Sequence, residues 1–84
     1  MVNTLVLYDI PRRPARRRFE TLLRVHGFVW LFPHARWSSR GMEAHHGLIR
    51  SARSKLRNEP YRLLFVNVSA RDRAGATWIA ANFS

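Results

Sequence analysis

The residues best suited to chemistry in this sequence are one aspartate and a group of arginines that follows it closely. Asp9 ends an apolar run, and the next residues include Arg12, Arg13, Arg16 and Arg17. A guanidinium group donates two parallel hydrogen bonds to a phosphate, whereas a carboxylate is a ligand for a hard cation such as Mg²⁺. Cations are unfavourable near a helix N-terminus, so phosphate binding is the function we favour for arginines placed there.

The charge of the whole chain supports a polyanionic partner. The 84 residues include 15 Lys and Arg against 5 Asp and Glu, giving a formal net charge of +10 and a pI near 11.9. Such a charge attracts polyanions at long range, and nucleic acid is the favoured partner. Five further arginines extend the predicted phosphate-binding track, the last three of them along one side of the second predicted helix: Arg36, Arg40, Arg50, Arg53 and Arg57. A GC-rich genome, which raises the arginine content of every protein, or a basic face that is simply solvated, would explain the same excess without a function.

The remaining polar and aromatic residues give weaker signals. His45 and His46 are adjacent, so on a helix their rings point apart and cannot chelate one ion together. The chain has no cysteine, which excludes disulfides and thiolate zinc sites. Trp30, Trp37 and Trp78 could stack on unpaired bases, but in so small a protein we favour packing or interface roles for them.

Length and composition predict one domain spanning residues 1–84. The composition is 46% hydrophobic and 12% aromatic, which argues against disorder. A chain this short buries only about 60% of its unfolded surface, so its core is marginal and association would help. No apolar run approaches the roughly 20 residues that cross a bilayer, and we expect a cytoplasmic protein without membrane contact.

Hydrophobic periodicity predicts an α+β protein in which strands and helices alternate. Gly27 is placed to stop the first helix, and Pro33 interrupts an apolar run. Residues 34–37 are either a third strand or the bent second half of the second strand. The order β-α-β-β-α-β, with an appended strand, is that of the ferredoxin-like split βαβ arrangement. The predicted elements are strands at 2–10, 28–32, 34–37, 61–69 and 76–83, and helices at 14–26 and 42–57.

The second predicted strand indicates a homodimer. Residues 28–32 read Phe-Val-Trp-Leu-Phe and are apolar on both faces of the strand. One face can pack on the helices, while the other needs a second sheet that a single copy of this chain does not offer. Two copies that place their sheets together would cover it.

Three segments in the first third of the chain form a pattern of their own. They read Leu-Val-Leu-Tyr-Asp-Ile-Pro at 5–11, Arg-Arg-Arg-Phe at 16–19, and Leu-Leu at 22–23 followed by His-Gly-Phe at 26–28. The pattern resembles the CRISPR-associated protein 2 family, whose members open with an apolar strand ending in Tyr-Asp-Ile-Pro or a close variant, followed by a basic helix. The resemblance implies a short, ferredoxin-like, homodimeric protein.

The resemblance also implies two alternative activities. The family's dimers are described as metal-dependent nucleases on RNA or double-stranded DNA, and as the central scaffold that joins the CRISPR integrase in spacer acquisition. Its metal-site aspartate matches Asp9, so a catalytic Mg²⁺ site would use Asp9 from two copies. From residue 28 onward the polar and acidic residues usual in the family are missing. This difference favours a DNA-binding scaffold over an active endonuclease; an endoribonuclease or toxin-like nuclease of the same fold is the alternative.

Overall fold

The computed structural model describes residues 2–69, and these form an antiparallel sheet with helices packed on one face. This confirms the predicted α+β class. The predicted strand at 76–83 lies outside the described residues. The elements are β1 (Val2–Asp9), α1 (Arg13–Val25), β2 (Val29–Phe32), β3 (Ala35–Ser38), a 3₁₀ helix (Met42–His45), α2 (His46–Lys55) and β4 (Arg62–Ser69).

The four strands follow the spatial order β2-β3-β1-β4, and each pair of neighbours is antiparallel. The longest pairing joins β1 to β4 from Val2 opposite Ser69 to Asp9 opposite Arg62. The sequential and spatial orders are consistent with the predicted ferredoxin-like arrangement. Among the described residues, no helix is long and apolar enough to span a membrane.

Residues 33 and 34 form a turn between two separate strands. Pro33 has no N–H to donate to a sheet, and His34 adopts a left-handed backbone conformation with φ 68°. The chain therefore reverses, and β3 pairs antiparallel to β2, with an irregular register between Trp30 and Phe32. Of the two interpretations open for residues 34–37, the separate third strand is the one found.

The second helical region is interrupted, unlike the continuous helix expected over 42–57. A 3₁₀ turn precedes α2, and His45 at the junction has φ −120° and ψ 19°, outside the α-helical region. The His45 ring is turned inward, where its Nε2 lies 2.9 Å from the Ser38 Oγ. This contact to the end of β3 explains why the regular helix begins only at His46.

The core lies between the helices and one face of the sheet. The α1 residues Ala15, Phe19, Leu22 and Leu23 are all buried, as their spacing of three and four predicts. Complete burial of one large apolar side chain contributes about 1.5–3 kcal/mol to folding. The sheet and the second helix contribute Val6, Tyr8, Ile10, Leu48, Ala52 and Leu56 to the same cluster.

Apolar side chains of β2 remain exposed to solvent in the single chain. Val29 and Trp30 are 57% and 58% exposed, and Leu64 on β4, at the opposite edge of the sheet, is 55% exposed. Exposed apolar side chains of this size are typical of surfaces that contact another molecule. The homodimer predicted from this strand stays a prediction.

Candidate nucleic-acid interface

Four arginines form ion pairs with acidic side chains inside the described part of the chain. Most of these side chains are substantially exposed, so each such pair contributes less than about 1 kcal/mol to stability. Their effect on the surface charge is larger, because three carboxylates offset three of the positive charges of these four arginines. The pairs are Asp9–Arg62 (2.9 Å), Glu20–Arg36 (3.4 Å), Glu59–Arg12 (3.5 Å) and Glu59–Arg18 (3.5 Å).

A second set of arginines, on α1, has no such partner within residues 2–69. Arg13, Arg17 and Arg24 are exposed, and their spacings of four and seven residues place them on one face of the helix. We call these three residues the α1 arginine row. At 1.5 Å per residue the row is about 16 Å long. Glu20 is the acidic residue of this helix, and its Oε2 accepts hydrogen bonds from Tyr8 and Arg36.

The arginines predicted from the sequence lie in different places. Arg12 is the N-cap residue of α1 and forms an ion pair with Glu59. Arg16 donates a hydrogen bond from Nη1 to the Ile10 carbonyl oxygen at 3.4 Å. Arg40 is exposed in the loop after β3, where its backbone carbonyl accepts a hydrogen bond from Thr4. The structure therefore brings only some of the predicted residues together.

Arg17 and Arg36, two of the predicted residues, meet in a cleft of about 300 Å³ between α1 and β3. We call it the α1–β3 cleft. Arg24 also lines it and was not predicted as a binding residue, although its seven-residue spacing from Arg17 could have indicated it. The complete lining is Arg17, Glu20, Thr21, Arg24 and Arg36.

A hydrogen-bonded group holds the inner wall of this cleft. The Tyr8 hydroxyl donates to Glu20 Oε2 at 2.6 Å, and Arg36 Nη2 donates to the same oxygen at 3.4 Å. Arg36 Nε also donates to the Tyr8 hydroxyl at 3.3 Å. The group ties α1 to β1 and β3, so the guanidinium of Arg36 has a fixed position.

The electrostatics of the group keep Arg36 charged and Tyr8 protonated. Burial, with the hydrogen bond to Glu20, raises the pKa of Tyr8 above its usual value. Burial acts to lower the pKa of Arg36, but its hydrogen bond to Tyr8 and the charge of Glu20 outweigh burial and raise it overall. A phenol donor and a cationic guanidinium are therefore the forms present near neutral pH.

Asp9, the predicted metal ligand, lies at the end of β1 with its side chain 57% exposed. Its Oδ2 accepts a hydrogen bond from Arg62 Nη2 at 2.9 Å, and the nearby hollow is lined mainly by apolar residues such as Phe32 and Leu64. No group of three or more metal-ligating side chains occurs in the part of the chain described. Mg²⁺ prefers an octahedral shell of oxygens, so the Asp9 carboxylate of one chain does not supply that shell by itself.

The buried pair Ser38–His45 was not predicted as a unit. Both residues are buried, with exposed fractions of 2% and 1%, and the His45 ring lies 4.6 Å from the ring of Phe28. A pair so deeply enclosed cannot reach a substrate, so its role is in packing. Nothing in the local sequence indicates the pair, because Ser38 falls in a predicted loop.

The chain matches no protein-family model, and no curated protein is significantly similar to it. The fold and the site describe a small, basic α+β protein. One helix carries an arginine row that has no ion-pair partner among residues 2–69, and a cationic cleft lies beside it. The resemblance to the CRISPR-associated protein 2 family rests on the sequence pattern alone.

Proposed function

We propose that this protein binds nucleic acid, with double-stranded DNA as the favoured form, through phosphate contacts of the α1 arginine row. The observation that carries the proposal is the placement of Arg13, Arg17 and Arg24 on one exposed helix face without an ion-pair partner in the described chain, beside the cationic α1–β3 cleft. Contacts of this kind fix a protein on the phosphate backbone without reading the base sequence. They also make the affinity strongly dependent on salt.

The composition of α1 favours a duplex over a single strand. Proteins that bind single strands usually stack bases on aromatic side chains, and the one aromatic residue of α1, Phe19, is fully buried. A row about 16 Å long corresponds to about five base pairs at 3.4 Å each. A rigid helix can therefore face several phosphates of a regular duplex at once.

The fuller proposal is a dimeric scaffold of the CRISPR spacer-acquisition type, with the integrase of such a system as a partner. The sequence pattern supports it, as do the order of the elements and the exposed apolar residues Val29 and Leu64 at the two edges of the sheet. Two copies would present two arginine rows on one assembly. RNA binding, and Mg²⁺-dependent cleavage using Asp9 of both copies, are the alternatives.

Duplex binding across a salt series tests the proposal with a charge-matched control. The variant R13Q/R17Q/R24Q removes the row, and R50Q/R53Q/R57Q removes three exposed arginines on or just after α2, the other helical part of the track predicted from the sequence. Removal of one arginine–phosphate interaction should reduce the slope of log affinity against log salt by about 0.9. We expect a reduction of about 2–3 in the first variant and little change in the second. Equal effects of the two variants, or an affinity independent of salt, would refute the role of the row.

The nuclease alternative is tested in the same preparations. Duplex DNA and RNA are incubated with Mg²⁺ and with a chelator, using the wild type and Asp9→Asn. Cleavage that disappears both with the chelator and in the variant would establish the enzyme. Cleavage that is absent, or identical in Asp9→Asn, would eliminate a catalytic role for Asp9.

A further inference from the structure

We infer that the α1–β3 cleft binds one phosphate group between Arg17, Arg24 and Arg36. The inference rests on the proposed function, because nucleic acid is the source of phosphate that the function supplies. Three guanidinium groups and one carboxylate line the cleft, which gives it a formal charge of +2. A phosphate group carries between one and about two negative charges near neutral pH, depending on whether it is a diester or a terminal monoester.

Arg36 is the anchoring residue of this site. Its side chain is only 19% exposed, and two of its five N–H donors are used by Tyr8 and Glu20. Three donors are left for a ligand in the cleft. Because the guanidinium is already held in place, binding an anion orders less of the protein than binding by a free surface arginine would.

Glu20 is compatible with an anion site because its carboxylate is paired with Arg36 and the cleft keeps a formal charge of +2. The oxygen Oε2 accepts hydrogen bonds from both Tyr8 and Arg36, so the carboxylate acts mainly to position Arg36. Arg17 and Arg24, by contrast, have no ion-pair partner within residues 2–69 and are exposed beside it. Thr21 lines the same cleft, and a threonine hydroxyl is an uncharged donor.

The direct test uses inorganic phosphate as the probe. The side-chain Nε–Hε signals of the arginines are followed by NMR during a phosphate titration at constant ionic strength. We expect saturable shifts of Arg17, Arg24 and Arg36. Arg24→Gln should weaken the affinity at least about tenfold, the effect of removing one charge-assisted hydrogen bond. The matched control Arg53→Gln, an exposed arginine on α2, should leave the affinity unchanged.

Two duplexes distinguish the sources of the phosphate. One carries 5′-phosphate ends and the other 5′-hydroxyl ends. A preference for phosphorylated ends that Arg24→Gln abolishes identifies a terminal phosphate. Equal affinity for both, weakened equally by Arg24→Gln, identifies a backbone phosphate.

The cleft and the proposed function can fail separately. Absence of saturable shifts with inorganic phosphate, or equal weakening by Arg24→Gln and Arg53→Gln, would overturn the cleft site. If duplex binding persists in that case, the proposed function stands. Saturable phosphate binding without duplex binding would refute the proposed function and leave a site for free phosphate.

Discussion

Acidification should destabilise this protein through His45, whose imidazole is held in a site that suits only its neutral form. The ring is 1% exposed, its Nε2 lies 2.9 Å from the Ser38 Oγ, and its Nδ1 is buried without a hydrogen-bond partner in the described structure. Burial lowers the pKa of His45, and electrostatic interaction with His26 and Arg40 lowers it further, against a smaller opposite effect of Glu43. Protonation would add a charge and a donor where no acceptor is available.

The sign and size of the effect follow from proton linkage. The pKa of His45 is lower in the folded protein than the value of about 6.5 in the unfolded chain. The unfolded state therefore binds more protons between the two values, and stability falls as the pH falls. The contribution of neutral His45 is complete above about pH 6.5 and declines by up to about 1.4 kcal/mol per pH unit below it. That decline is large against a total stability of about 4–13 kcal/mol for a chain of this length.

Urea unfolding, followed by tryptophan fluorescence at several pH values between about 7.5 and 5, measures this slope. His45→Gln keeps a hydrogen-bonding group but cannot titrate, and His46→Gln changes the exposed neighbouring residue as a control. We expect the wild type and His46→Gln to lose stability in parallel as the pH falls. His45→Gln should be less stable near neutral pH and should lose less as the pH is lowered. An unchanged pH slope in His45→Gln would show that His45 does not cause the effect.

Two further sets of variants test the backbone and the end of the sheet. Gly47→Ala should raise the free energy of unfolding by about 1 kcal/mol, since Gly47 lies in α2 with open space around a new Cβ. Gly27→Ala should lower the free energy of unfolding by about 1 kcal/mol, because Gly27 has φ +86°, a backbone conformation that alanine disfavours. Urea unfolding measures both variants, and a change in the same direction for the two would contradict these expectations. Asp9→Asn should lower the free energy of unfolding by less than about 1 kcal/mol, as both side chains of its ion pair with Arg62 are largely exposed. A decrease above about 2 kcal/mol in the same assay would show that the pair is a structural requirement rather than an exposed contact.

The helices and strands whose sequence signals are local could be predicted from the sequence. The period of Ala15, Phe19 and Leu22 identifies the buried stripe of α1, and Gly27 marks its end. The predicted strands agree with β1, β2, β3 and β4 to within about two residues at each end. The break between the 3₁₀ turn and α2 was not predictable in this way, because it depends on the contact of His45 with Ser38 in another element.

The candidate site was predictable only in part, because it too depends on contacts between residues of different elements. The basic junction after β1 is a local feature of composition, and the structure does place Arg13 and Arg17 there. The residues that pair with Arg12 and hold Arg36 in position are distant from them in the sequence. Glu59 is 47 residues from Arg12, and Tyr8 is 28 residues from Arg36. No periodicity of helix or strand connects such positions, so the cleft emerges only when the chain folds.

The placement of the acidic residues bears on whether the arginine excess reflects composition alone. Random enrichment in arginine would leave the few carboxylates scattered with respect to the basic surface. Asp9, Glu20 and Glu59 instead form their ion pairs with arginines outside the α1 row. Like charges at the four-residue spacing of Arg13 and Arg17 destabilise a helix. A bound polyanion would relieve this repulsion, so nucleic-acid binding and the stability of α1 should be thermodynamically linked.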